Sequence, residues 1–147
     1  MSAPLVVLDT MVVLSAVFAE DAEGPSASVV RAVATGDVRL AISDDQLSEL
    51  VRVMGYEDVE GNIGKPLRAF EVALDIGTMG FMYHPRRLDW PSLTDPNDGW
   101  IFDLAFTSGA DFIVSYDNAV QEAADELGFM AISPEDLLEI LRRQHEF

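Results

Sequence analysis

Five short apolar runs punctuate the chain, at residues 5–9 (LVVLD), 38–43 (VRLAIS), 80–84 (GFMYH), 111–115 (DFIVS) and 129–133 (FMAIS). The first, fourth and fifth are nearly continuous, as strands buried on both faces of a parallel sheet must be. Helical patterns lie between and after them, near residues 11–18, 26–34, 44–54, 65–76, 97–108, 119–127 and 134–144. Gly36, Gly109 and Gly128 stand where helix ends favour a left-handed residue. Ser43 with Gln46 predicts a capping box, and Ser133-Pro134 an N-cap followed by a first-turn proline. Strand–helix alternation without a repeat, linker or low-complexity tract predicts one α/β domain over residues 1–147. Its expected architecture is three layers, α/β/α, around a central, mostly parallel five-stranded sheet.

Composition narrows the class. A chain of 147 residues, 49% hydrophobic and 24% charged, can bury a core of its own and is not of disordered type. No apolar run approaches the ~20 residues of a membrane helix, and the start MSAPLVVLD lacks the features of a secretion signal. Without cysteine there are no disulfides, thiolate metal sites or cysteine nucleophile. A cytoplasmic location is expected. His84 and His145 are the only histidines and form no zinc-binding spacing. The net charge of −17 is spread evenly, with 5 basic and 13 acidic groups in residues 1–75 and 4 and 13 in residues 76–147. Such a surface favours a basic protein partner or a high-salt cytoplasm and works against non-specific nucleic-acid binding.

The acids are not placed at random. In open parallel sheets, sites form where strands end and helices begin. Asp9 closes the first strand; Asp44, Asp45 and Glu49 follow the second. Asp95 and Asp98 open the helix before the fourth, and Asp117 lies just past it. The stretch from Asp95 to Asp117 holds five aspartates and neither lysine nor arginine. Carboxylates crowded on one edge call for a hard, oxygen-seeking cation, Mg²⁺ or Mn²⁺.

Each acid also has a purely structural reading. Asp95-Pro96-Asn97-Asp98 has the form of a helix start, with Asp95 as N-cap, Pro96 at the first helical position and Asp98 facing the helix dipole. Asp44 and Asp45 occupy a first helical turn, and Asp117 is placed to cap the helix beginning at Asn118. Glu49 alone would be a solvated helix acid. Asp9 is harder to explain this way, because an aspartate ending an apolar strand is costly unless paired or liganded. Asp103 lies about 7.5 Å along the helix from Asp98 and ~140° around it. It can be no more than an outer member of a site that contains Asp98. The combination carries the signal.

Four segments in order resemble the PIN domain, the nuclease-type fold of many prokaryotic toxin–antitoxin toxins. VVLDTMVVLSAVF is similar to its opening motif, with Asp9 as the first acid, and LAISDDQLSELVRVM places Glu49 as the second. DPNDGWIFDLAFTSGADFIVSYD puts Asp98 and Asp117 in the third and fourth acidic positions, and ISPEDLLEIL resembles the closing segment. The resemblance implies a PIN-like fold and a metal-dependent endoribonuclease. Asp9, Glu49, Asp98 and Asp117 would be its catalytic and metal-binding residues, holding one or two Mg²⁺ or Mn²⁺ ions that activate water and offset charge on the attacked phosphate. Asp95, Asp103, Thr10 and Ser15 are candidate outer positions. The opening motif of the family reads Asp-Thr-Asn, whereas this chain has Asp9-Thr10-Met11; the hydroxyls of Thr10 and Ser15 are candidate substitutes for the missing asparagine.

The resemblance further implies single-stranded RNA as substrate, an antitoxin protein as partner and a homodimer. Arg39, Arg52, Arg68, Arg86 and Arg87 are candidate phosphate contacts, with Arg86 and Arg87 the strongest RNA-binding candidates, or else surface ion-pair partners. Trp90 and Trp100 either stack on bases or pack in the core. A haloacid-dehalogenase-type phosphohydrolase would need an aspartate at Met11, and a receiver domain a lysine near Ser133. The stronger alternative is a catalytically weak PIN module acting mainly by binding a protein.

Overall fold

The computed structural model describes residues 2–18, 23–58, 65–91 and 93–145, without the side chains of residues 55–58, 65–70 and 72. The elements follow the order β1 (Leu5–Leu8), α1 (Thr10–Val17), α2 (Pro25–Thr35), β2 (Arg39–Ile42), α3 (Asp44–Asp58), α4 (Lys65–Met79), β3 (Phe81–Met82), α5 (Gly99–Ser108), β4 (Phe112–Val114), α6 (Asn118–Leu127), β5 (Ala131–Ile132) and α7 (Pro134–Gln144). A single 3₁₀ turn, Pro96–Asp98, leads into α5. Every strand and helix expected from the sequence is present, with bounds moved by a few residues.

The sheet runs β3-β2-β1-β4-β5, and every pairing is parallel. It is therefore all-parallel rather than mostly so. After β3 the chain crosses to the other side of β1, which makes the β1–β4 seam the point where strand order reverses. Loops diverge there, and a crevice opens at the carboxyl ends of the strands.

Side-chain alternation along β1 separates two cores. Val6 and Leu8 join Leu40, Ile42 and Val114 beneath α1, α2, α3, α4 and α7. Leu5 and Val7 join Ala41 and Ile113 beneath α5 and α6. All four β1 residues are buried, as a strand covered on both faces requires. This is the three-layer arrangement.

The helix ends follow local rules. The three glycines expected to end helices all have positive φ. Ser133 Oγ accepts from the Asp136 N–H, and Pro134 opens α7. The capping box at α3 is only half formed. Ser43 Oγ accepts from the Gln46 N–H at 3.2 Å, but the Gln46 amide turns away and donates to the Leu8 carbonyl at 2.9 Å. A buried strand-end carbonyl needs a donor, and Gln46 supplies it, tying α3 to the end of β1 beside Asp9.

Candidate metal centre

Four acids from four separate segments meet at the carboxyl edge. Asp9 ends β1, Glu49 lies on α3, Asp98 joins the 3₁₀ turn to α5, and Asp117 precedes α6. All four line one hollow of ≈ 390 Å³, together with Thr10, Met11, Ser15, Trp100 and Tyr116. The sequence-derived set is thus brought together across the β1–β4 seam.

Ser115 organises two of the acids. Buried at the end of β4, its hydroxyl donates to Asp9 Oδ2 at 2.7 Å and accepts from the Asp117 N–H at 3.0 Å. The Asp9 backbone N–H donates to the Val114 carbonyl, extending the β1–β4 ladder to the acid itself. Asp117 Oδ1 accepts from the Ala119 N–H at 2.8 Å, so its capping role and its place in the hollow are both realised. Glu49 Oε2 pairs with Arg52 at 2.7 Å. Asp98 is the N-cap of α5 but makes no capping hydrogen bond, and it lines the hollow.

The electrostatic consequence is a cluster with a deficit of positive charge. Burial, followed by the nearby charge of Asp9, Asp95, Asp117 and Glu49, pushes the Asp98 carboxyl up to about 6. Burial also raises Asp9, against the opposing hydrogen bond from Ser115, with Asp117 and Glu49 adding to the rise. These are the directions that burial and neighbouring like charge impose on carboxylates.

The donors suit a hard divalent ion: all are oxygens, and none of the four acids is buried beyond reach of the hollow. Thr10 lines the same hollow and is 6% exposed; its Oγ1 is buried and has no hydrogen-bond partner among the described residues. Among the described residues no group of three or more acids or histidines forms a ready-made ion cage. Mg²⁺ commonly keeps several waters and takes only one or two carboxylates directly, so the other acids of the hollow would act on it through water.

The remaining candidates divide. Ser15 lines the hollow. Met11 does too, 55% exposed, so the position of the missing asparagine offers no polar atom. Asp95 stands outside it, its carboxylate capping the 3₁₀ turn through the Asn97 N–H at 2.9 Å. Asp103 is buried and also outside it; its Oδ1 accepts from the Leu88 N–H at 3.0 Å and the Trp90 Nε1–H at 2.7 Å. It fastens the segment after β3 onto α5. Trp90 packs against Phe102, Phe106 and Phe129, so of its two readings the core one holds.

The arginines also separate. Arg39 opens β2 at the opposite, amino edge of the sheet, where its Nε donates to the Ala3 carbonyl. Arg52 is joined to Glu49, and the side chain of Arg68 lies outside the described residues. Arg87 lines a second hollow of ≈ 330 Å³ that shares Glu49 and Trp100 with the first; Arg86 lines neither. Sequence alone did not reveal this second hollow, or the role of Ser115. A hydroxyl directly after β4 and two residues before Asp117 was the available signal for the latter. Among the described residues no helix is long and apolar enough to cross a membrane.

No curated protein sequence matches the chain significantly. Among solved structures, the fold is similar to PAE2754 from Pyrobaculum aerophilum, with TM-score 0.63 and 14% identity over 96% of this chain and 90% of that one. It is also similar to VapBC2 from Rickettsia felis, solved bound to a DNA fragment from their promoter, with TM-score 0.61 and 15% identity over 88% and 98% of the two chains. A domain of a functionally unknown protein from Methanocaldococcus jannaschii matches with TM-score 0.56 and 15% identity over 89% and 91%. The sequence model of the PIN domain covers residues 5–119, a span that begins with β1 and contains all four acids of the hollow. The chain belongs to the PIN-domain family.

Proposed function

We propose that this protein is a metal-dependent endoribonuclease that hydrolyses phosphodiester bonds of single-stranded RNA and acts in the cytoplasm as the toxin of a toxin–antitoxin pair. The observation that carries the reading is the convergence of Asp9, Glu49, Asp98 and Asp117 on one hollow, with the Asp98 carboxyl pushed up to about 6 by burial and its acidic neighbours. Asp9, Glu49, Asp98 and Asp117 would hold one or two Mg²⁺ or Mn²⁺ ions. Such an ion, when bound, lowers the pKa of water and stabilises charge on the attacked phosphate.

The chain's own contribution is orientation. Ser115 fixes Asp9 and the backbone at Asp117 with one hydroxyl. The α6 N-terminus holds one Asp117 oxygen through Ala119. Asp98 enters with its carboxylate uncommitted to a cap, and Thr10 lines the same space. The toxin reading rests on the sequence motifs and on a fold shared with VapBC2 of Rickettsia felis. An antitoxin with a basic surface would complement the net charge of −17.

Cleavage of a mixed single-stranded RNA pool with Mn²⁺, with Mg²⁺ and with chelator, beside Asp98→Asn, tests this. Discrete products that need metal and disappear in the variant are expected. Met11, exposed at the lip without a polar atom, favours the second reading, a catalytically weak module. Absent cleavage together with tight protein binding that survives Asp98→Asn would establish that module instead.

A further inference from the structure

The acid hollow has a neighbour. Trp100 and Glu49 form the shared wall, and beyond it lie Arg87, Asn97 and Asp45. Arg87 is the only cation lining either hollow among the described residues. It is exposed, and it forms no ion pair with them. Trp100 is half-buried, with one part packed on the α5–α6 core and the rest lining both hollows. Unlike Trp90, it makes no ring contact and no hydrogen bond with the described residues.

The placement of this pair is built, not incidental. Trp100 lies in the first turn of α5, two residues after Asp98. Arg87 immediately precedes Leu88, whose N–H is held by the buried Asp103, one turn further along α5. Asp103 also holds Trp90, which is locked among three phenylalanines. The segment bearing Arg87 is thus anchored to the helix bearing Trp100. An acid hollow, a flat aromatic wall and a guanidinium follow one another along one surface. A polymer alternating phosphates with planar bases has that sequence of chemistry.

We infer that Trp100 and Arg87 form a nucleotide subsite beside the acid hollow. Trp100 stacks the base adjoining the scissile phosphodiester, and Arg87 binds the next phosphate on the far side of Trp100. The subsite takes single-stranded RNA, because a base paired in a duplex cannot turn its face to the indole. Stacking is tolerant of base identity, so the subsite adds affinity and register rather than sequence choice. Asp45 and Glu49 on the same walls repel phosphate and confine it to the Arg87 side. The inference rests on the ribonuclease reading and deepens it.

The test is equilibrium binding of a fluorescein-labelled single-stranded oligoribonucleotide of about ten nucleotides, in chelator and at several salt concentrations. Trp100→Ala is expected to weaken binding about tenfold. Arg87→Gln is expected to weaken it and to reduce the slope of log affinity on log salt by about 0.7, as for one lost phosphate contact on a single strand. Arg86→Gln, one residue away but outside both hollows, is expected to change neither. Trp100→Phe keeps a stacking ring, so affinity holds while the RNA-induced change in intrinsic tryptophan fluorescence disappears. Equal effects of the two arginine variants, or full affinity in Trp100→Ala, would overturn the subsite. With metal-dependent cleavage intact, that result leaves the nuclease reading standing. Wild-type protein that neither binds nor cleaves RNA removes the nuclease reading and the subsite with it.

Discussion

Replacing Asp98 by asparagine should make the metal-free protein more stable, although the residue is the centre of the candidate site. Asn keeps the size and polarity of the side chain and removes only the charge. The wild-type carboxyl stands at about 6 in the fold against an ordinary 3.8. If fully felt, that gap opposes the ionised form by about 3 kcal/mol. Asp98 is only half-buried, and solvent screening reduces the figure to about 1.5 kcal/mol. The sign follows from proton linkage. A raised carboxyl means that the folded state binds more protons than the unfolded one between 3.8 and about 6, so stability falls as pH rises through that window. The penalty is absent below it and complete above it. Urea unfolding in chelator should therefore show Asp98→Asn ahead by about 1.5 kcal/mol at pH 7.5, by about half of that at pH 5, and by a few tenths at pH 4. Saturating Mg²⁺ should reverse the order, since a ligand at a hundred times its Kd stabilises the wild type by about 2.7 kcal/mol. A gain independent of pH, or a variant less stable than wild type at pH 7.5 in chelator, would refute the electrostatic account.

Three further outcomes test the framework around the site. Ser115→Ala removes the hydroxyl shared by Asp9 and the Asp117 N–H; it should cost about 1–3 kcal/mol in urea unfolding and raise the Asp9 carboxyl further, which NMR titration would detect. Asp103→Ala leaves the Leu88 N–H and the Trp90 indole without their acceptor and should cost about 2–4 kcal/mol, with a shift in tryptophan emission as Trp90 is released. Gly80→Ala places a Cβ 2.7 Å from Ile42 Cγ2, so the Ile42 side chain, β2 or the end of α4 must shift; about 1–3 kcal/mol of destabilisation is expected by thermal unfolding.

The sequence determined the elements and their order, because apolar periodicity, caps and helix-ending glycines are local properties. Continuous burial along residues 5–8 marked a central parallel strand, and β1 does lie between β2 and β4. The four principal acids were legible for a related reason: the carboxyl ends of parallel strands share one edge, so acids at those ends are neighbours however far apart in sequence. Long-range pairing was not legible. Gln46 has the spacing of a capping box, yet it answers the Leu8 carbonyl, 38 residues away. Asp103 looked like an outlying acid of the site, and only the folded chain shows it gripping Leu88 and Trp90. Arg86 and Arg87 are equivalent in sequence, as are Trp90 and Trp100 in kind. Periodicity tells which side of an element is covered, but not what covers it. That choice is made when the segments after β2, β3 and β4 pack together, and it places Arg87 and Trp100 beside the acids and Trp90 among the phenylalanines.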